Sequence, residues 1–356
     1  HGRPGSLLST VNMRKDGFDS SLQTTLRWAA AGIGVFLIAH AISKEMTKFN
    51  LSGKVVLITG GSRGLGLVLA RHLSKRGAKL AIAARSADDL ELARQDLEAG
   101  GARVIAMTTD VTNNDEVKAM VRDVIHHYGR VDVLINNAGI IQVGPQEVMG
   151  VEEYQVAMQT NFWPQLFAMH AVIPHFLDRG RGRIVNITSI GGKIPVPHLL
   201  PYTASKFAAV GLSEGMHGEL KKHNIHVTTV VPNLMRTGSP SHALIKGDHE
   251  KEYAWFKHAA SNPLFTTNAD KAAEHIIKAL EYGEPEITFS LSGKVARMIQ
   301  GLAPGWVNLA MGIANRLLPD AATGGTITLQ GWQAESPRSH GPISDLSDQA
   351  AAKNNE

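Results

Sequence analysis

The chain has 356 residues, 43% of them hydrophobic, enough to bury a sizeable core in one large domain or two ordinary ones. With no cysteine it carries no disulfide, thiolate nucleophile or Cys-based zinc site, and its sixteen histidines show no His-Glu-x-x-His or similar ligand spacing, so no metal is expected. A net charge of +4 and a pI near 9.2 are too mild to imply nucleic acid.

Residues 1–12 begin at His1 and are set aside from the fold, with Met13 a candidate start. An uncharged apolar run follows over 28–42, bracketed by Arg27 and Lys44. It falls short of the roughly 20 residues that a spanning helix needs. A membrane-associated or shallowly inserted helix is therefore placed first, ahead of a helix packed on the protein's own surface and of a signal cleaved near Ala39-His40-Ala41.

The β-branched run Val55 to Ile58 has the pattern of a strand buried in a parallel sheet. Behind it come Thr59-Gly60-Gly61-Ser62-Arg63-Gly64-Leu65-Gly66 and a helical run from Leu67 to Arg76. Strand, glycine turn and helix in this order suit a nucleotide, because glycines let the backbone approach a pyrophosphate and the helix start offers unpaired N–H groups. A second strand, Lys79 to Ala84, ends at Arg85, where an NAD-selecting site usually carries an acid. Arg85 with Arg63 suits a 2′-phosphate instead, so NADP(H) is preferred over NAD(H). Further strand-like runs lead to Asp110-Val111 (from Arg103) and to Asn136-Asn137-Ala138-Gly139 (from Val131), each before a helix. Such βα alternation predicts an α/β fold with a doubly wound parallel sheet and ligands at the carboxyl ends of its strands. Asn161 falls within one helical run, Tyr154 to Leu177, among apolar neighbours where its amide needs partners. His223 and His226 read as a solvated helix end followed by a strand.

The strand-like run Arg183 to Thr188 should end at Ser189, and Tyr202 and Lys206 then sit one helical turn apart on one face. A phenol with an ordinary pKa of about 10 is a poor base near neutrality, and a nearby ammonium favours its ionised form. Taken singly, Tyr-x-x-x-Lys arises often by chance.

Taken together, Thr59-Gly60-x-x-x-Gly64-x-Gly66, Asp110, Asn136-Asn137-Ala138-Gly139, Asn161, Ser189 and Tyr202-x-x-x-Lys206 stand in the order of the short-chain dehydrogenase/reductase family, which the chain resembles over about 51–292. The resemblance implies a single Rossmann-fold catalytic domain and an NAD(P)-dependent oxidoreductase acting on CH–OH groups. It makes Tyr202 the general acid/base and lets Ser189 hold the substrate oxygen. Lys206 would lower the Tyr202 pKa and bind the nicotinamide ribose, and Asn161 would hold a water relaying protons to Lys206. Asp110 and Val111 would meet the adenine, and Asn137, Ala138 and Gly139 would line the cofactor cleft. Where the family usually reads Pro-Gly, this chain has Pro232-Asn233, a change that Asn tolerates because it adopts left-handed backbone angles readily. Thr237 is the candidate for the nicotinamide carboxamide.

In the family, specificity lies after Thr237. Here an aromatic segment with Tyr253, Trp255, Phe256 and Phe265, within about 234–265, reads either as an apolar substrate lid or as a packing helix. With Val196, Pro197, His198 and Leu199 it suggests a hydrophobic lipid-, steroid- or acyl-like carbonyl or alcohol substrate. A 3-oxoacyl-carrier-protein reductase and a non-catalytic NADP-binding sensor or scaffold are the rival readings. Residues 293–332 read as a helical extension, with apolar residues at helical spacing from Lys294 to Leu318 and a break at Pro304-Gly305. This extension could pack on the core, form a homo-oligomer face or touch a membrane surface. Residues 333–356 have the Ser, Pro, Asp, Gln and Asn content of a disordered tail. The expected setting is cytoplasmic, with the catalytic domain facing the cytosol even if 28–42 associates with a membrane.

Overall fold

Seven parallel strands form the central sheet of this computed structural model, which describes Trp28, Glu45 and residues 48–263, 266–321, 325–341 and 344–356. They are β1 (Val55–Thr59), β2 (Lys79–Ala84), β3 (Arg103–Thr108), β4 (Val133–Asn136), β6 (Gly182–Ile187), β7 (Ile225–Val231) and β11 (Glu286–Thr288), in the spatial order β3-β2-β1-β4-β6-β7-β11. The order reverses between β1 and β4, which opens a crevice at their carboxyl ends.

Both faces of the sheet are covered, and the period-2 alternation of β1 shows how. Val56 and Ile58 pack with α1 (Gly64–Ser74), α2 (Ala87–Ala99) and α8 (Ala269–Tyr282). Val55 and Leu57 face the other way, onto α3 (Asn114–Tyr128), α5 (Trp163–Asp178) and α6 (Leu200–Leu220). Each such fully buried aliphatic side chain stabilises the fold by about 1.5–3 kcal/mol. The start of β1 is pinned by the buried Asp132, whose carboxylate accepts from Val55 N at 2.9 Å, Arg130 Nε at 2.8 Å and Arg179 Nη1 at 2.9 Å. Burial works to raise the Asp132 pKa, and the three donors more than offset it, leaving the carboxyl below its ordinary value.

The helical run around Asn161 is two helices. α4 (Val151–Asn161) stops at Asn161, and α5 restarts at Trp163 with Pro164 in its first turn, where a missing N–H costs nothing.

Beyond β7 the chain builds a cover over the crevice. β8 (Leu234–Arg236) pairs with β10 (Thr266–Asn268), and a three-stranded sheet joins β5 (Gln142–Val143), β9 (Leu244–Ile245) and β12 (Leu329–Gln330) beside α7 (His249–Ser261). α9 (Leu291–Leu302) and α10 (Pro304–Asn315) turn their apolar residues outward: Leu302 is 80% and Trp306 72% exposed. The expected disordered tail is instead folded where described. Short turns at 331–334 and 337–339 lead to α11 (Asp345–Lys353), with Ser339, Ser344 and Ser347 buried. The buried Lys257 of α7 explains the difference: it pairs with Glu335 at 3.1 Å and Asp348 at 2.8 Å, so residues that look like solvated polar chain are ligands of a buried ammonium. The 28–42 segment apart from Trp28, residues 1–12 and Phe265 lie outside the described residues. Among the described residues no helix is long and apolar enough to cross a membrane.

Candidate active site

The glycine turn after β1 and the Asn136–Gly139 turn after β4 meet at the crevice. Gly60 has φ +64°, and a Cβ there would lie 2.9 Å from Ala138 Cα; one on Gly66 would lie 2.0 Å from Gly60 O. Only glycine allows this approach. Thr59 Oγ1 accepts from Asn137 N at 3.1 Å and Ala138 N at 3.3 Å, and Asn137 Nδ2 donates to Gly60 O at 2.8 Å. Thr59 and Gly66 thus brace the cleft wall without lining it, and the Asn137 side chain braces it too.

A cavity of about 910 Å³ runs along these turns and brings together most of the residues that the sequence singles out. Gly60, Ser62, Arg63, Gly64 and Leu65 line one end with Arg85, and Asp110 and Val111 lie beside them. Asn137, Ala138 and Gly139 form the middle, and Ser189, Tyr202, Lys206, Pro232 and Thr237 the other end. These glycine contours and the two arginines fit a dinucleotide with a phosphate at the Arg63–Arg85 end. Arg85 is exposed, and Arg63 is 3.8 Å from Asp89 in a partly exposed pair that binds it weakly. Asp110 Oδ1 accepts from the Thr112 backbone at 3.0 Å and hydroxyl at 2.8 Å, which fixes that loop.

At the catalytic end, β6 delivers Ser189 and α6 delivers Tyr202 and Lys206. Ser189 Oγ accepts from Gly191 N at 3.0 Å and hydrogen-bonds the Tyr202 phenol. Burial pushes the phenol up to about 12, while the Ser189 bond works the other way. The expected depression of this pKa by Lys206 is therefore not what the arrangement gives. Lys206 Nζ lies 5.7 Å from the Tyr202 ring centre, donates to Ile187 O at 3.2 Å, and is itself brought down to about 8 by burial. Asn161 does not line the cavity. Its amide is fully committed: Oδ1 accepts from Ile140 N at 2.9 Å, and Nδ2 donates to Ile140 O at 3.2 Å and to Ser205 Oγ at 3.0 Å. It lies against Gly139, where an added Cβ would meet Asn161 Oδ1 at 2.7 Å and Lys206 Nζ at 3.5 Å.

Asn233 does not adopt left-handed angles; among the described residues the left-handed non-glycine ones are His198, Asn224 and Asn355. Its side chain bonds the Ser290 hydroxyl, tying the loop after β7 to the start of α9. Thr237 is buried, with its hydroxyl on that of Ser239. The wall next to Tyr202 is apolar, made by Val196, Leu199, Trp255 and Phe256. Sequence reasoning missed two residues, one behind this wall and one at the far end of the cleft. Glu252 is buried and accepts from Trp255 Nε1 at 2.7 Å, while Glu356 reaches the cavity at the glycine turn. An acidic residue at helical spacing within an aromatic segment was the only available signal for Glu252; Glu356 offered none.

The family model for short chain dehydrogenases matches residues 54–243. The chain is 31% identical over 290 residues to a dehydrogenase/reductase SDR family protein 7-like of Anopheles gambiae, covering 80% of this chain and 90% of that one. It is 34% identical to an 11-beta-hydroxysteroid dehydrogenase-like 3 of Arabidopsis thaliana (69% and 76% covered) and 37% identical to a gluconate 5-dehydrogenase of Gluconobacter oxydans (53% and 74%). Among solved structures it is similar to an actinorhodin polyketide ketoreductase with NADPH, at TM-score 0.61 and 29% identity, covering 67% of this chain and 97% of that one. A metagenomic short-chain oxidoreductase in complex with NADP follows at TM-score 0.55 and 28% identity, covering 67% and 98%. With its parallel sheet, glycine turn and Ser189, Tyr202 and Lys206 on one cleft, the chain belongs to the short-chain dehydrogenases/reductases, NAD(P)-dependent oxidoreductases that interconvert carbonyls and alcohols.

Proposed function

We propose that this enzyme uses NADP(H) in preference to NAD(H) and interconverts a carbonyl and a secondary alcohol on a hydrophobic, lipid-, steroid- or acyl-like substrate. Bound in the cleft, the dinucleotide supplies or takes the hydride. Tyr202 gives a proton to the substrate oxygen in reduction and takes it back in oxidation. Ser189 holds that oxygen beside the phenol, Lys206 binds the nicotinamide ribose, and Asn161 fixes the Ile140 loop and α6 on which the site depends. With burial raising its pKa, the Tyr202 phenol is held protonated at neutral pH, the form that donates to a carbonyl oxygen.

The observation that carries this reading is the continuity of one cavity from Arg63 and Arg85, past Tyr202, to the apolar wall of Val196, Leu199 and Trp255. The two structural neighbours, one with NADPH and one in complex with NADP, favour the same cofactor. The names of the relatives point to both steroid-like and sugar-acid substrates, and an apolar wall without a charged partner for a carboxylate favours the former. The outward apolar face of α9 and α10, with Trp306 and flanking Lys294 and Arg316, favours work at a membrane surface. Tyr202→Phe tests the chemistry: NADPH binding should persist while reduction of a hydrophobic ketone panel is lost. Retained turnover would remove Tyr202 from its role. Equal rates with NADH and NADPH would remove the cofactor preference.

A further inference from the structure

The segment 345–356 sits on the dinucleotide cleft. α11 is anchored from outside by Lys353 Nζ on Asp270 at 2.8 Å and by Asp348 on Lys257 at 2.8 Å. Arg71, on the outer side of α1, then holds Asn354 Oδ1 at 3.2 Å and Lys353 O at 3.2 Å. From there the chain turns into the crevice. Gly64 N, at the start of α1, donates to Asn354 O at 2.9 Å, and Asn355 Nδ2 donates to Ser62 O at 3.1 Å and Asp89 O at 3.3 Å. Glu356 lies where a Cβ on Gly64 would be, its Oε1 only 2.2 Å from that position.

This is the space that the glycine turn keeps clear. A dinucleotide places its phosphates against such a turn and its helix start. Here the helix-start N–H is taken by Asn354, Asn355 covers Ser62, and a carboxyl group fills the hollow over Gly64. Chain and cofactor present similar chemistry, an acidic group with Arg63 nearby, to the same backbone.

We propose that residues 345–356 are a ligand of this chain's own cofactor cleft, binding the glycine turn in place of the dinucleotide phosphates, so that the segment and NADP(H) exclude each other. The seat favours exchange over permanent closure. The Glu356 side chain is only 6% exposed, yet its Oε2 finds no hydrogen-bond donor among the described residues, and its contact with His242 Nε2 is long, at 3.8 Å. A carboxyl group held by one long ion-pair contact holds less firmly than a phosphate that can recruit Arg63 and Arg85. The anchors of α11 outside the cleft do not depend on this seat, so α11 can stay bound while 354–356 withdraw.

The test is direct NADPH binding, read by the fluorescence of the reduced nicotinamide. The full chain is compared with a chain lacking 354–356 and with Arg71→Gln in the full chain, which loosens the anchor from outside the cavity. A segment docked nine-tenths of the time weakens apparent affinity about tenfold, so both variants should bind NADPH about tenfold tighter. A synthetic peptide of residues 344–356 added to the shortened chain should weaken it again, competitively. Unchanged affinity in both variants would overturn the proposal. Weaker affinity would overturn it too, since the segment would then be a clasp that holds the cofactor in. Because NADPH binding is read without turnover, this result is separable from any failure of the substrate assignment.

Discussion

His198 Nδ1 lies 2.8 Å from Oε1 and 3.0 Å from Oε2 of Glu252, with both side chains buried. The pair joins the segment just before Tyr202 to α7, and Trp255 Nε1 donates to the same carboxylate. His198 also holds a left-handed backbone, φ +58°, which a non-glycine residue keeps only where its surroundings over-determine it. Glu252→Ala leaves the buried His198 and the half-buried Trp255 indole without an acceptor, at about 1–3 kcal/mol for a fully buried group. A stability loss of about 2–5 kcal/mol is expected by urea unfolding, together with a raised KM for hydrophobic ketones as Trp255 loses its tether. NADPH binding should be unaffected. A loss under about 1 kcal/mol would show that this cluster does not hold the wall.

Lys206 is a buried ammonium whose pKa is lowered from 10.5 to about 8 by desolvation. Between those values the unfolded lysine is protonated and the folded one is not, so the parent enzyme gains stability as pH rises from about 8 to 10.5. Below that window it bears the full cost of burying the charge. Lys206→Met should therefore be more stable than the parent at pH 7, by about 1–3 kcal/mol, while losing turnover. Its advantage should shrink as pH rises through 8 to 10. A variant that melts below the parent at pH 7 would mean that the Ile187 hydrogen bond outweighs desolvation.

Arg85 and Arg63 line the end of the cleft without a strong partner of their own. A hydrogen bond to a charged phosphate contributes about 1.5–3 kcal/mol. Arg85→Ala should thus lower kcat/KM for NADPH about 10- to 100-fold and leave NADH within about threefold. Parallel losses with both cofactors would place Arg85 outside 2′-phosphate recognition.

The α/β alternation, the glycine turn and Tyr202-x-x-x-Lys206 were legible in the chain because each rests on local spacing: period-2 strands, glycines at backbone crossings, side chains one helical turn apart. What local spacing does not carry is pairing between distant residues. Lys257 carries no local sign of its burial, because its partners Glu335 and Asp348 come from a stretch whose polarity reads as disorder. Lys206 looked like a charge beside a phenol, but burial, invisible in a four-residue motif, raises the Tyr202 pKa and lowers that of the lysine. Pro164 marks the break after Asn161, but the apolar pattern runs through it and hides it.

Docking of the 345–356 segment carries its own pH dependence. Burial raises the Glu356 carboxyl from 4.5 to about 7, with Arg63 pulling the other way. The groups facing it are Arg63 and His242, the latter shifted down by burial and Arg63, with Asp89 opposing. A raised carboxyl pKa means that the docked form prefers the proton. Docking is then strongest below about pH 4.5, weakens as pH climbs toward 7 because the free segment is already ionised, and changes no further above that. The ratio of NADP+ dissociation constants, full chain over the chain lacking 354–356, cancels any titration of the cofactor itself. It should fall from pH 5 to pH 7, by up to tenfold per pH unit at most, about the limit for a single proton. Glu356→Gln should flatten the profile while leaving competition in place. A ratio that stays constant across this range, or rises with pH, would mean that Glu356 does not enter the phosphate site as a protonated group.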